Sequence, residues 1–213
     1  AANGGYFMEY PEDIKLYGVS FSTTLPTGTA WSGEVSYRPN APVQLNSTDV
    51  FYAGLRGVNF DLPAALGGTT KTPYAAVSPL GPDSEGLLHG YKRKEITQLQ
   101  TTFTHFLDQV MGASRLTLVG EVGFTHVGGL ESDQDIRYGR DPIYGTAGDM
   151  CVPVNASTAG GRSSSQMLDK GCDQDGFTTT DSWGYRARAI WEYPDVFAGV
   201  NLKPNVAWSH DVG

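Results

Sequence analysis

The chain has 213 residues, enough for one ordinary domain with a core. Its formal net charge of −8 and pI near 4.9 argue against a nucleic-acid partner, which would call for a basic patch. Mean hydropathy is −0.28, and no apolar run approaches the ~18 residues that a membrane helix needs.

No positively charged, apolar leader opens the chain, so a signal peptide is expected to be already removed or to lie outside it. The first periodic stretch is "IKLYGVSFSTTL" (14–25), where Tyr17, Val19, Phe21 and Leu25 alternate with Gly18, Ser20, Ser22 and Thr24. After the turn "PTGT" (26–29) comes "WSGEVSYR" (31–38), in which Trp31, Gly33, Val35 and Tyr37 alternate with Ser32, Glu34, Ser36 and Arg38. Next is "ITQLQTTFTHFL" (96–107), with Leu99, Phe103 and Leu107 against Gln98, Gln100, Thr102 and Thr104. The connection "DQVMGAS" (108–114) leads to "RLTLVGEVGFTH" (115–126), with Leu116, Leu118, Val122 and Phe124 on one row. "SWGYRARAIWEY" (182–193) sets Trp183, Tyr185, Ala187, Ala189, Trp191 and Tyr193 against Gly184, Arg186, Arg188, Ile190 and Glu192. After "PDVFAG" (194–199), "VNLKPNVAWSHD" (200–211) alternates Val200, Leu202, Val206 and Trp208 with Asn201, Lys203, Asn205 and Ser209. A period of two sustained this often predicts strands near 14–25, 30–38, 96–107, 115–127, 183–193 and 199–211.

Between the hairpins lie two long segments, 39–95 and 128–182, rich in Gly, Pro, Ser, Asp and Asn. Connections in compact soluble domains are mostly ~4–6 residues. Short turns at one end of the strands and very long loops at the other are the pattern of an antiparallel transmembrane β-barrel, with periplasmic turns and extracellular loops. Lipid offers the backbone no hydrogen bonds, so only helices and closed barrels span it. One strand row then meets hydrocarbon and the other a wet lumen. The charged residues Glu34, Arg38, Arg115, Glu121, Arg186, Arg188, Glu192 and Lys203 are expected to face the lumen. Tyr17, Trp31, Tyr37, Phe103, Phe124, Trp183, Tyr185, Trp191, Tyr193 and Trp208 are expected as membrane-interface aromatics; the Trp and Tyr among them have an apolar ring and a polar tip that are both satisfied there. The lumen row would select or orient a solute. Its plain alternative is a salt-bridged wall that supports the barrel. About six strands fall short of the about eight that close the smallest single-chain barrels, so the chain is expected to be one part of a single larger barrel, completed by the same polypeptide or, as the alternative, by other chains. The main competing architecture is a soluble β-sandwich binding module, which alternates in the same way.

The loops carry four further features. Cys151 and Cys172 share one Gly/Ser/Asp-rich segment with no nearby His, and a disulfide in an oxidising compartment is the expected reading. Asp169, Asp173 and Asp175 offer hard oxygen ligands suited to loop-bound Ca²⁺, but the EF-hand spacing is absent and solvated carboxylates are the plainer reading. No other cofactor is implied. In "NSTDVFYAGLRGVNFDLPAALGG" (46–68), Asn46, Ser47 or Asp49 can cap a short helix with Val50, Phe51 and Leu55 on one side. Such a helix would serve as a hatch or apolar groove, or as a packed cap without a ligand. The sequons at Asn46 and Asn155 read as chance matches. His89, His105, His126 and His210 are scattered and define no triad, so a surface hydrolase ranks last and no enzyme is expected.

Three stretches, "YFMEYPEDIKLYGVSFSTTLPTGTAWSGEVSYRPNAPVQLN" (6–46), "GASRLTLVGEVGFTHV" (112–127) and "YRARAIWEYPDVFAGVNLKPNVAWSHDV" (185–212), resemble a Gram-negative outer-membrane family catalogued as DUF1302, which includes sphingosine-induced outer-membrane proteins. The resemblance implies a much longer barrel, of which this chain is part of the C-terminal half. It also implies a setting of outer-membrane lipid and lipopolysaccharide, a periplasmic lipoprotein-carrier-like partner and an inner-membrane permease of the resistance-nodulation-division (RND) type. The function expected is an outer-membrane channel or transport component for hydrophobic or amphipathic, lipid-like solutes. The rival is a plugged barrel that anchors a trans-envelope complex.

Overall fold

The computed structural model describes residues 5–57, 59–61, 71–73, 77–83, 85–140 and 175–212. The elements run β1 (Tyr17–Thr24), β2 (Ala30–Gln44), α1 (Ser47–Gly54), β3 (Asn59–Asp61), β4 (Lys71–Pro73), β5 (Tyr91–Asp108), β6 (Arg115–Gly128), β7 (Asp181–Phe197), β8 (Val200–Leu202) and β9 (Asn205–Val212). The fold is all-β and antiparallel, with one short helix, and no helix among the described residues is long and apolar enough to cross a membrane. The chain divides into two compact units.

The first unit holds Ile14–Ala41, Lys94–Gly129 and Thr179–Gly213. It contains a meander in the order β1-β2-β5-β6-β7, with β8 and β9 both pairing β7. The tight turns that join sequential strands carry residues at positive φ. Gly28 (φ 79°) closes the β1–β2 turn, where Leu25 N–H donates to the Thr29 carbonyl at 2.8 Å. Gln109, Met111 and Gly112 all take positive φ between β5 and β6, and Ala198 and Gly199 do so between β7 and β8.

Several boundaries differ from the sequence pattern: β2 runs on to Gln44 where an end at 38 is expected, β5 begins at Tyr91 where 96 is expected, and two further differences lie around β7 to β9. The strand expected to end at Tyr193 continues to Phe197, through a register shift between Tyr193↔Leu202 and Phe197↔Val200. Asp195, at φ 49°, absorbs the irregularity; its N–H donates to Asn201 Oδ1, and its own Oδ1 accepts from Gly199 N–H at 2.8 Å. The strand expected over 199–211 is two pieces, split at Lys203–Pro204, because proline brings no N–H to the ladder. The Pro204 carbonyl still accepts from Trp191 N–H at 3.0 Å.

The second unit holds Ala1–Asp13, Pro42–Arg93 and Leu130–Thr178. It draws on both segments that the composition marks as loops, yet it has a core of its own. Leu45, Ala53, Leu80 and Tyr138 are buried together, with Val43, Val50, Leu88, Leu130 and Ile136 packed against them. Asn46 is the helix cap: its Oδ1 accepts from Asp49 N–H at 3.0 Å. The same side chain donates to the Gly139 carbonyl, tying the helix start to residues 137–139. Asp49 is fully buried and accepts a bidentate pair from the Arg137 guanidinium. Burial pushes the Asp49 carboxyl above the usual carboxylate range, and Arg137 opposes that shift. The helix buries Asp49, Tyr52 and Ala53, while Phe51 stands 60 % exposed. Of the apolar side expected from Val50, Phe51 and Leu55, Val50 packs against the core and Phe51 does not. The helix turns its ion pair inward because Arg137 meets it there.

Candidate functional site

The strand registers sort the sheet into two faces. From β6 to β7, Arg115 lies opposite Glu192, Val119 opposite Arg188, Glu121 opposite Arg186 and Gly123 opposite Gly184. Cross-strand partners share a face, as do residues two apart. Glu121 also lies opposite Thr102 on β5, and β2 carries Glu34 and Arg38 in phase with Ser20↔Glu34 on β1. Arg115, Glu121, Arg186, Arg188 and Glu192 thus share one face. Lys203, between β8 and β9, reaches the same face by pairing with Glu192 at 3.1 Å.

These charges are engaged unevenly. Arg115 faces Asp108 at 3.6 Å, and Arg188 donates to Asn205 Oδ1 at 3.3 Å. Arg38 donates to Gln98 Oε1 at 2.7 Å, and Gln98 Nε2 passes the chain on to Thr125 Oγ1 at 3.4 Å. Glu34, Glu121 and Arg186 have no ion pair or hydrogen bond among the described residues. The continuous salt-bridged wall is therefore not what the described side chains build.

Around these three groups the sheet curls into a recess of about 540 Å³. Glu34 and Arg38 come from β2, and Gln98 and Gln100 from β5. Glu121 and Gly123 come from β6, Gly184 and Arg186 from β7, and Asp211 from β9. Strands far apart in the meander line one hollow, so the polar face is concave. The glycines, Gln98, Gln100 and Asp211 carry no signal when read one strand at a time. Gly123 and Gly184 appear only as gaps in two polar rows, and that the gaps face each other is a matter of register.

The opposite face is apolar and uncovered. Val19 is 77 % exposed and Trp208 63 %; Phe21, Leu99, Val122, Phe124, Trp183 and Val206 are also exposed. Through Tyr17↔Tyr37, Thr23↔Trp31, Leu99↔Phe124, Phe124↔Trp183, Leu116↔Trp191 and Ala187↔Trp208, the interface candidates fall on this face. The Trp31 ring stacks on Phe103 with centroids 5.8 Å apart and meets Phe21 edge-on at 4.7 Å. A methyl group added to Gly33 would strike the Phe21 ring, so glycine there lets the ring lie flat on the sheet. Trp31 Nε1 donates to Thr101 Oγ1 at 2.8 Å and Trp208 Nε1 to the Tyr185 hydroxyl at 3.3 Å, so both indole N–H groups are satisfied on the apolar face. The Tyr193 hydroxyl donates to the Met111 carbonyl at the turn.

Of the loop candidates, Cys151, Cys172, Asp169 and Asp173 lie outside the described residues, as does the Asn155 sequon; Asp175 is exposed. Asn46 is buried, which removes its amide from modification in the folded chain. The histidines have separate neighbours: His89 with Glu9 at 3.0 Å, His105 with Thr29 at 2.9 Å, His126 with Asp181 at 2.7 Å, and His210 against the Tyr185 ring. The Glu9 carboxylate holds the His89 pKa above the ordinary histidine value.

A family model described as protein of unknown function (DUF1302) matches residues 1–213. No curated protein and no solved structure matches the chain. A match across the whole length joins this two-faced sheet to one family, and the chain belongs to DUF1302.

Proposed function

We propose that the sheet is part of the wall of an outer-membrane β-barrel, and that the barrel passes hydrophobic or amphipathic solutes. The observation that carries this reading is the sorting of the two faces. An apolar, aromatic-bearing face is left open to its surroundings, while the concave face holds the charges and the recess. Monomeric soluble proteins seldom expose a contiguous apolar patch of more than a few hundred Å². Lipid is the surrounding that makes such a face favourable. A soluble sandwich would bury it under a second sheet. On this reading the strands β1 and β9 continue into further strands of the barrel, and the periplasmic carrier and RND-type permease are the partners on the inner side.

Transport is favoured over a plugged scaffold because Glu34, Glu121 and Arg186 border open space. The test is single-channel conductance of the full-length protein in planar lipid bilayers, together with analysis of the lipids that co-purify. Discrete conductance steps that a bound amphiphile blocks are expected. A sealed barrel without ligand, holding periplasmic partners in pull-downs, would replace transport with anchoring.

A further inference from the structure

The geometry points to the recess above Gly123 and Gly184, bordered by Glu34, Glu121 and Arg186, which have no ion pair among the described residues, as a binding site for the zwitterionic head group of an amphipathic solute. This rests on the reading of the concave face as a lumen wall.

Glu121 and Arg186 are direct cross-strand partners, a placement that brings Cβ atoms to about 5 Å and ordinarily lets opposite charges join. Here they remain apart. A solute with a single charge would engage one of them and leave the other without a partner. A solute with a cationic and an anionic group satisfies both. The guanidinium takes the anionic oxygens by bidentate hydrogen bonds, and the carboxylates Glu121 and Glu34 take the cation.

The space is built for a group of that size. A Cβ added at Gly123 meets nothing within 4 Å, so the floor is open there. A Cβ added at Gly184 runs into the Asp211 carboxylate, which closes that end. The Arg38–Gln98–Thr125 chain of hydrogen bonds forms the far rim. Below the head-group position the same face gains apolar side chains on β5 and β6, with Arg188 beside them on β7. Val119 lies opposite Thr104, and Ile190 and Phe106 both lie opposite Thr117. Val119 is four positions from Gly123, about 13 Å along the strand. A short acyl chain leaving the recess would lie on Val119 and Phe106, on the β5–β6 side of the face, while Arg188, opposite Val119 on β7, is engaged by Asn205.

The test uses the full-length protein in lipid nanodiscs, titrated calorimetrically against empty nanodiscs. The probes are hexylphosphocholine, hexyl sulfate and hexyltrimethylammonium, each below its aggregation concentration. Hexylphosphocholine should bind about tenfold more tightly than either singly charged probe, the worth of one charge-assisted hydrogen bond. Gly123→Leu should remove that preference, and Gly120→Leu, on the apolar face with open space around it, should leave it intact. Should Gly123→Leu fail to fold, Glu121→Gln and Arg186→Gln decide the matter: the first should favour hexyl sulfate and the second hexyltrimethylammonium. Equal affinity for all three probes, or no opposite shift in those two variants, overturns the assignment. Conductance of the same preparation separates the two readings. A conducting barrel without the preference ends the head-group assignment alone, and a barrel that neither conducts nor binds ends the transport reading as well.

Discussion

Ala187→Arg is the sharpest test of where the apolar face sits. On β7 the apolar row runs Trp183, Tyr185, Ala187, Ala189, Trp191, Tyr193. From Trp183 to Tyr193 the strand covers about 34 Å at ~3.4 Å per residue. At a tilt of about 40°, that projects to about 26 Å along the membrane normal, against an apolar band of about 25 Å in such barrels. Ala187 lies near the middle of this span, with Gly120 and Trp208 as its cross-strand partners. On the proposed barrel reading, a guanidinium there sits close to the bilayer midplane and costs about 2–4 kcal/mol. That is a drop of roughly 30- to 1,000-fold in the folding equilibrium. The assay is reversible urea unfolding of the full-length protein in phospholipid vesicles, followed by tryptophan fluorescence. Thr102→Arg is the paired control, since Thr102 faces Glu121 on the polar side. If the face met water, Ala187→Arg would fall within about 0.5 kcal/mol of the parent, as exposed substitutions do. Equal stability of the two arginine variants would therefore refute the lipid-facing assignment.

The compact second unit offers three more tests. Arg137→Ala leaves the buried Asp49 carboxylate without its bidentate partner and should destabilise the unit by about 3–5 kcal/mol, read as faster amide exchange over residues 45–55. Asn46→Ala removes both the helix cap and the bond to Gly139, and should cost about 1–2 kcal/mol in the same exchange measurement. Glu9 raises the pKa of His89, so the protonated histidine favours the folded arrangement. That contribution is fully present below the unfolded histidine pKa and is lost as pH rises through the folded one. Limited proteolysis near residues 5–13 should accelerate over that rise. Glu9→Gln should lower the His89 midpoint in an NMR titration; an unmoved midpoint would assign the shift elsewhere.

Much of the strand architecture is legible in the chain because a period of two needs no partner. That Arg186, Arg188 and Glu192 share one side of a strand, and Trp183, Tyr185 and Trp191 the other, follows from the pleat alone. Asn46, Ser47 and Asp49 were equally good caps by residue type. Choosing among them requires knowing where Arg137 and Gly139 come to rest, some ninety residues away. For the same reason, composition marks 39–95 and 128–182 as loops although both contribute to a packed core. Leu45, Leu80 and Tyr138 show no periodicity, because irregular backbone brings them together.

Sequence by itself determined the strand period, the opposition of charged and aromatic rows, and the positions of the tight turns. Each depends on the sterics of residues within a few positions of one another. Tertiary structure alone decided which rows align across strands. It set Gly123 opposite Gly184 and Glu121 opposite Arg186, drew Glu34 and Asp211 to the same hollow, and buried Asp49 against Arg137. Those juxtapositions depend on register and curvature, which arise only when separate strands exchange backbone hydrogen bonds.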